Sequence, residues 1–363
     1  MTYLDANAAE PLRPAARDAV LDALGQVGNP SSVHAPGRAA RRILEEARET
    51  LSHLFGARPA DLVFTSGGTE ADAAALHTLS SGRRVIIGAT EHDAVRAAAP
   101  DAAILPVDRS GVADLAALEA MLAEGPPALV ALMLANNETG VLHPIAEAGR
   151  LSRRFGAFLH VDAVQAAGRE KIDFSTLGAA SLALSSHKLG GPAGAGALLL
   201  SPEAADRFRP LIEGGGQERG RRGGTQPVAA IAGFAAAARA ALAAPARLGP
   251  LRDEAEQAAR AAGAVVLGAG APRIDNTTAL ALSGVKAETQ VIALDLAGIA
   301  VSAGAACSSG KVAESHVLKA MGAGPLAGQA IRVSLPWNAA ASDVRHFATA
   351  YAEMAARLQR RAA

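Results

Sequence analysis

The chain has 363 residues, half of them hydrophobic and 19% charged, which is enough apolar material for a large buried core in one or two domains. Lys plus Arg and Asp plus Glu number 35 each, so the charge balance excludes a broad field for nucleic acid or an anionic membrane and leaves ligand recognition to local sites. A single cysteine, Cys307, excludes an intrachain disulfide and a cysteine-based metal cluster within one chain.

The first residues, MTYLDANAAEP, lack the basic and apolar regions of a secretory signal, and the later apolar runs are too short or too interrupted to cross a bilayer. A cytoplasmic location is the expectation. Short apolar runs then alternate with helix-length stretches: strands are predicted at Leu62–Thr65, Arg84–Gly88, 128–134, 157–161 and Ser181–Ser185, and helices at 70–79, Leu115–Ala123 and 145–155. The alternation predicts an α/β fold with a mainly parallel sheet covered by helices, whose ligands collect where strands end. Past the alanine-rich stretch 234–246 the pattern changes, with strands near Val265, at Thr277–Leu282 and over 331–335. This predicts a large domain over 13–246 and a smaller α+β domain formed by 1–12 and 247–363.

The strand ends carry the chemistry. FTSGGTE, residues 64–70, is a strand, a Gly-Gly turn and a helix start; it offers an anion the backbone amides around Gly68, the positive end of a helix dipole and the Thr69 hydroxyl. The same letters also make an ordinary helix cap. His92, in ATEHDAV, follows a strand and opens a helix, where an imidazole can stack on a ring and exchange protons. In LHVDAVQ, Asp162 ends an apolar strand, where a carboxylate can pair with a protonated pyridine nitrogen, and Gln165 can donate to a phenolic oxygen of the same ring.

Lys188 is one of only five lysines and stands between the strand SLALSS and the glycine-rich turn LGGPAGAG. An amine projecting from a strand end into open space is what a Schiff-base lysine needs, so these residues together point to pyridoxal phosphate. Alone, Lys188 reads equally as a surface lysine in a turn. Ser185, His187 and Thr225 are further phosphate candidates. Cys307 sits among small and polar residues, 302–311, in what reads as a mobile exposed loop, where Lys311 or a helix N-terminus can favour its thiolate. Arg332, in AIRVSL, can grip a carboxylate by both oxygens, or can be a surface arginine on a strand. The arginine-rich run 219–222 reads as an interface or a solvated loop.

In order and spacing, FTSGGTE, TEH, NNETG, HVDAVQ, SSHKLGGP, GGGQERGRRGGT and AACSSG resemble the cysteine desulfurases of the class V aminotransferase group over nearly the whole chain. The resemblance implies the pyridoxal-phosphate-dependent transferase fold type I and a homodimer. It implies Lys188 as the Schiff-base lysine, His92 as the stacking residue, and Asp162 and Gln165 as ring partners. Thr69, Ser185 and His187 match phosphate ligands, Thr225 one supplied to the neighbouring subunit, and Asn137 a residue near cofactor and substrate. Arg332 matches the carboxylate-binding residue. Cys307, on the longer type of loop, matches the thiol that takes sulfur from L-cysteine as a persulfide and passes it to an acceptor, such as an iron–sulfur scaffold protein, leaving L-alanine. No metal site is implied. Departures from the family pattern are Ala9 and Glu10 in place of a pair of threonines, His143 in place of a glutamine and Pro336 in place of a glycine; they predict altered loop packing or substrate access with the chemistry kept. A selenocysteine lyase, another class V enzyme, and a non-catalytic docking dimer in sulfur assembly are the alternative readings.

Overall fold

The computed structural model of the protein describes residues 1–304 and 314–362. Its strands are β1 (Thr2–Tyr3), β2 (Leu62–Thr65), β3 (Arg84–Gly88), β4 (Ala103–Leu105), β5 (Ala128–Met133), β6 (Phe158–Asp162), β7 (Ser181–Ser185), β8 (Gly196–Leu200), β9 (Ala264–Leu267), β10 (Thr277–Leu282), β11 (Ile299–Ala300), β12 (Ser302–Ala303) and β13 (Ala330–Ser334).

Seven of them form one sheet in the order β2-β8-β7-β6-β5-β3-β4. Only β8 runs against the rest, because it is antiparallel to both β2 and β7 while every other pair is parallel. Every residue of β5, β6 and β7 is buried, the continuous apolar pattern of strands covered on both faces. Side chains sort by parity. Val130, Leu132, Leu159 and Val161 join Leu51, Phe55 and Phe234 in one core, while Leu129, Ala131 and Phe158 join Ala71, Ala75 and Leu79 of helix Gly68–Leu79 in the other. By the same parity His160 and Asp162 lie on the face covered by helix Gly68–Leu79.

A four-stranded antiparallel sheet, β12-β13-β10-β9, packs Leu280, Ile331 and Val333 against Phe347 and Tyr351 of helix Ala341–Ala362 and Ala255 and Ala259 of helix Gly249–Ala261. The N-terminus joins this second body. β1 pairs in parallel with β11, Leu4 is fully buried in the same core, and Asp5 bridges to Ser334. The chain then crosses back to the large sheet, as Arg13 N donates to the Gly190 carbonyl. No helix among the described residues is long and apolar enough to cross a membrane.

Several predicted bounds move. The strand expected at 157–161 runs one residue later, so Asp162 is its last residue, and the helix expected from 70 begins at Gly68. Strand β8 is not among the expected strands: LGGPAGAG reads as a glycine-rich turn, and its last residue, Gly196, opens the strand. A Cβ there would stand 2.6 Å from the Gly67 Cα, so the β2–β8 pairing needs a residue without a side chain.

Candidate active site

The Gly-Gly turn after β2 opens helix Gly68–Leu79 with Gly67 at the N-cap and no side-chain cap, so the first amides of the helix keep their donor capacity. Gly68 is required by close approach, since a Cβ there would meet Val164 at 2.6 Å. Glu70 reaches back to accept from Ser66 N at 2.7 Å, while Thr69 is exposed at the helix start. Ser185, the last residue of β7, faces this turn: its Oγ lies 3.8 Å from the position of a Cβ on Gly67 and 3.0 Å from His187 Nδ1. Burial and the neighbouring Lys188 push the His187 imidazole down to about 4, so it is neutral at pH 7. Helix amides, a hydroxyl and a neutral imidazole together are a donor set that could hold a phosphate.

Lys188 ends the short 3-10 turn Ser186–Lys188, and its amine donates to the carbonyls of Asn7 and Ala8, the latter at 2.9 Å. The Asn7 carbonyl also accepts from Gln165 Nε2 at 3.0 Å, so Lys188 and Gln165 meet at one oxygen. Asp162 is buried and accepts from Val164 N at 2.8 Å. Burial, then the nearby Asp72 carboxyl, push Asp162 up to about 7. Asp72 bonds His160 Nε2 at 3.0 Å, and burial drives Asp72 up to about 7 and His160 down to about 4. Glu91 is fully buried with Oε2 unpartnered, and its carboxyl is raised well above the ordinary range by burial. The nearby His92 favours the ionised form of Asp72 and Asp162 but does not offset burial, and a protonated ring nitrogen at Asp162 would add a further balancing charge. His92, next to Glu91, caps helix Asp93–Ala98 through Nδ1, which accepts from Ala94 N at 3.1 Å.

Arg332 on β13 is buried, donates to the Asn137 carbonyl at 3.2 Å and to Asp5 Oδ1 at 2.7 Å, and keeps Nε without a partner. Asn137 is half-buried and linked to the same network, since its carbonyl also accepts from Asn7 Nδ2 at 3.0 Å. Thr225 is exposed and joins none of these bonds. Its loop is nonetheless anchored: Glu218 takes both guanidinium nitrogens of Arg48 at 2.8 and 2.9 Å and Phe64 N at 2.9 Å, and Arg222 grips Glu70. In this loop Glu218 and Arg219 have φ of 49° and 59°, a region costly for residues with side chains. Thus part of the arginine run, read as an interface or a solvated loop, is tied to the Gly-Gly turn through Glu70. Cys307 and Lys311 lie outside the described residues.

Sequence reasoning missed Asn7, Asp72, Glu91, His160 and Arg169, and marked Glu10 only as a departure from the family pattern. Glu91 and His160 stand inside the quoted TEH and HVDAVQ motifs, where a buried charge was the available signal. Asn7 and Arg169 carry no local signal, because their roles arise from contacts with residues far along the chain. Among the departures, His143 is buried and satisfied, its ring bonding Thr90 Oγ1 at 3.2 Å and accepting from Ala113 N at 3.1 Å. Pro336 is buried, and Trp337 after it donates to Glu10 and to the Pro11 carbonyl.

An amine, a buried carboxyl raised by burial at a strand end and a helix start without a side-chain cap, all on one edge of a mainly parallel sheet, fit pyridoxal phosphate by their donor and acceptor chemistry. A sequence profile of the aminotransferase class-V family matches residues 2–347. The cysteine desulfurase of Cereibacter sphaeroides is 42% identical over 360 residues, covering 93% of this chain and 92% of its own. The IscS-like cysteine desulfurase of Mycobacterium tuberculosis is 36% identical over 369 residues, 95% of this chain and 93% of its own. A NifS-like protein from Rickettsia africae superposes with a TM-score of 0.90 at 32% identity, covering 98% of this chain and 99% of that one, and the architecture is that of fold type I. The chain belongs to the aminotransferase class-V family.

Proposed function

We propose that this protein is a cysteine desulfurase that converts L-cysteine to L-alanine and passes the sulfur on as a persulfide. The observation that carries the reading is the convergence of Lys188, Gln165, Asp162, Ser185 and His187 on one sheet edge, in a chain whose relatives over nearly its whole length are cysteine desulfurases. Pyridoxal phosphate, when bound, supplies an electron sink that makes the substrate's Cα proton removable and its Cβ–sulfur bond breakable.

The chain's own residues supply the rest. The helix start at Gly68 and Thr69, with Ser185 and His187, holds the phosphate, and Thr225 is assigned to the phosphate of a second subunit. Asp162 would balance a cationic ring nitrogen; burial and the nearby Asp72 make its carboxylate costly, so pairing there is favoured. Lys188 carries the cofactor and moves the Cα proton. His92 stacks and relays protons, and Asn137 and Arg332 hold the substrate carboxylate, using the unpartnered Arg332 Nε. The Cys307 thiolate attacks the substrate sulfur: the S–S bond forms as the C–S bond breaks, the electron pair stays on carbon, and a proton completes the methyl group of alanine. Sulfur leaves for an acceptor, of the kind that builds iron–sulfur clusters, in a cytoplasmic homodimer. A run of exposed apolar residues, Leu12, Leu21, Leu24, Val27 and Val33, supports association with a second copy. The apolar core of the second sheet, which takes in Leu4 and is separate from the cores on the two faces of the large sheet, supports a division into a large unit over 13–246 and a small unit of 1–12 and 247–363.

Alanine and enzyme-bound persulfide, measured together from purified protein supplied with cysteine, test the reading. Both are expected in equal amounts in a single turnover. Cys307→Ser is expected to abolish persulfide while the visible cofactor absorbance persists; normal sulfide release by that variant contradicts the thiol's role.

A further inference from the structure

One departure from the family pattern, Glu10, lies beside the candidate site residues Gln165 and Lys188. Glu10 stands where a threonine is usual, and its side chain is only 5% exposed. One carboxylate oxygen accepts from Arg169 at 3.0 Å and the other from Trp337 N at 3.1 Å. Arg169, its side chain 11% exposed, sends its other terminal nitrogen to the carbonyl and the side-chain oxygen of Gln165, at 2.7 and 3.0 Å. An amide whose oxygen is engaged this way must present its NH2 on the opposite side. There Nε2 donates at 3.0 Å to the Asn7 carbonyl, the same oxygen that accepts from Lys188.

We propose that Glu10, acting through Arg169, is a positioning residue that fixes the Gln165 amide with its N–H face toward the Lys188 amine and neutralises the guanidinium beside them. The inference rests on the functional reading above, in which Gln165 and Lys188 both serve the cofactor. A threonine in this place can hydrogen-bond but cannot balance Arg169, so the substitution changes the charge of the site as well as its shape. Among the described residues, the other charged and titratable groups near the cluster include Arg13, which stacks over Trp337 at 4.7 Å, Asp275 across a small cavity that Glu10, Arg169 and Lys188 also line, Arg332 with its partner Asp5, Tyr3 near Glu10, His187 next to Lys188, and the buried Asp162. Arg13 and Arg332 are cations, so loss of Glu10 leaves Lys188 in surroundings enriched in positive charge.

The sign of the effect follows. A carboxylate near Lys188 favours the protonated form of its nitrogen when that nitrogen is joined to the cofactor, and an unbalanced guanidinium disfavours it. The test is a pH titration of visible absorbance for the unsubstituted protein, Glu10→Gln and Glu10→Asp, each loaded with pyridoxal phosphate, with thermal unfolding followed in parallel. Glu10→Gln is expected to lower the titration midpoint by about half a pH unit or more, while Glu10→Asp, which keeps the charge, restores it. Should Glu10→Gln not fold, Glu10→Thr, the residue usual in the family, is expected to show the same downward shift. A midpoint unmoved in the charge-removing variant, with only the unfolding temperature lowered, overturns the inference alone. Absence of a visible band in the unsubstituted protein overturns the functional reading and the inference together.

Discussion

The two walls of the site are held by different means. On the sheet wall, Asp162, Gln165, Ser185, His187 and Lys188 all fall at or within a few residues of the ends of β6 and β7, so the strands themselves aim them. On the opposite wall, Asn7, Glu10, Asn137 and Arg332 come from three distant segments joined by hydrogen bonds spanning 130 to 327 residues. Asn7 is the knot. It donates to the Asn137 carbonyl and Thr277 Oγ1, accepts from Asn276 through its side chain, and accepts from Gln165 and Lys188 through its backbone. A rigid sheet edge thus places the groups proposed to hold a cofactor, while a strap from the chain's start, tied to the second sheet, places the groups proposed for substrate.

That contrast can be broken at either wall. The largest effect is expected on the strap side: Arg332→Lys keeps the positive charge but loses the forked geometry, and should lower kcat/KM for cysteine about 10- to 100-fold while leaving the visible cofactor band intact. Loss of the band in that variant would mean that the two walls are not separable.

An intermediate effect is expected on the sheet side, and it has a sign. Asp162 is raised from the ordinary carboxylate range to about 7 by burial and by Asp72. The folded cofactor-free protein therefore binds more protons than the unfolded chain between about pH 4 and pH 7, and its stability falls as pH rises through that window. Asp162→Asn removes this cost. In cofactor-free protein it should raise Tm at pH 8 by about 2–5 °C and leave pH 4 little changed. An equal change at both pH values would contradict a titrating Asp162.

The smallest effect is expected at a family departure away from both walls. His143→Gln restores the residue common at that position, and the buried ring it replaces is neutral, pushed down to about 4 by burial, with both nitrogens bonded. Tm should move by no more than about 2 °C and turnover by less than about twofold. A tenfold change in turnover would show that the loop at Ala113 feeds into the site.

The sequence makes the sheet wall legible and the strap wall obscure for the same physical reason. Strand ends announce themselves by apolar runs followed by glycine or polar residues, and Asp162 and Lys188 are readable from a window of a few letters. The turn at Gly67 is readable likewise, although its close contacts with Val164 and with Gly196 are not. Asn7 in DANAAEP looks like a turn former, and Glu10 looks like a loss of the family pattern. Only the folded chain reveals that Glu10 meets Arg169 across 159 positions and that Asn7 meets Thr277 across 270. Strand β8 was hidden by its glycines, and the buried carboxyls Asp72 and Glu91 by helical or turn surroundings that make such residues look exposed.

Borohydride reduction of the protein loaded with pyridoxal phosphate, followed by mass mapping of the labelled peptide, tests the central claim most directly. The account predicts a single cofactor adduct on the peptide containing Lys188, with none on Lys171, Lys286, Lys311 or Lys319. An adduct on any of those four instead, or no adduct in protein that is folded, contradicts it.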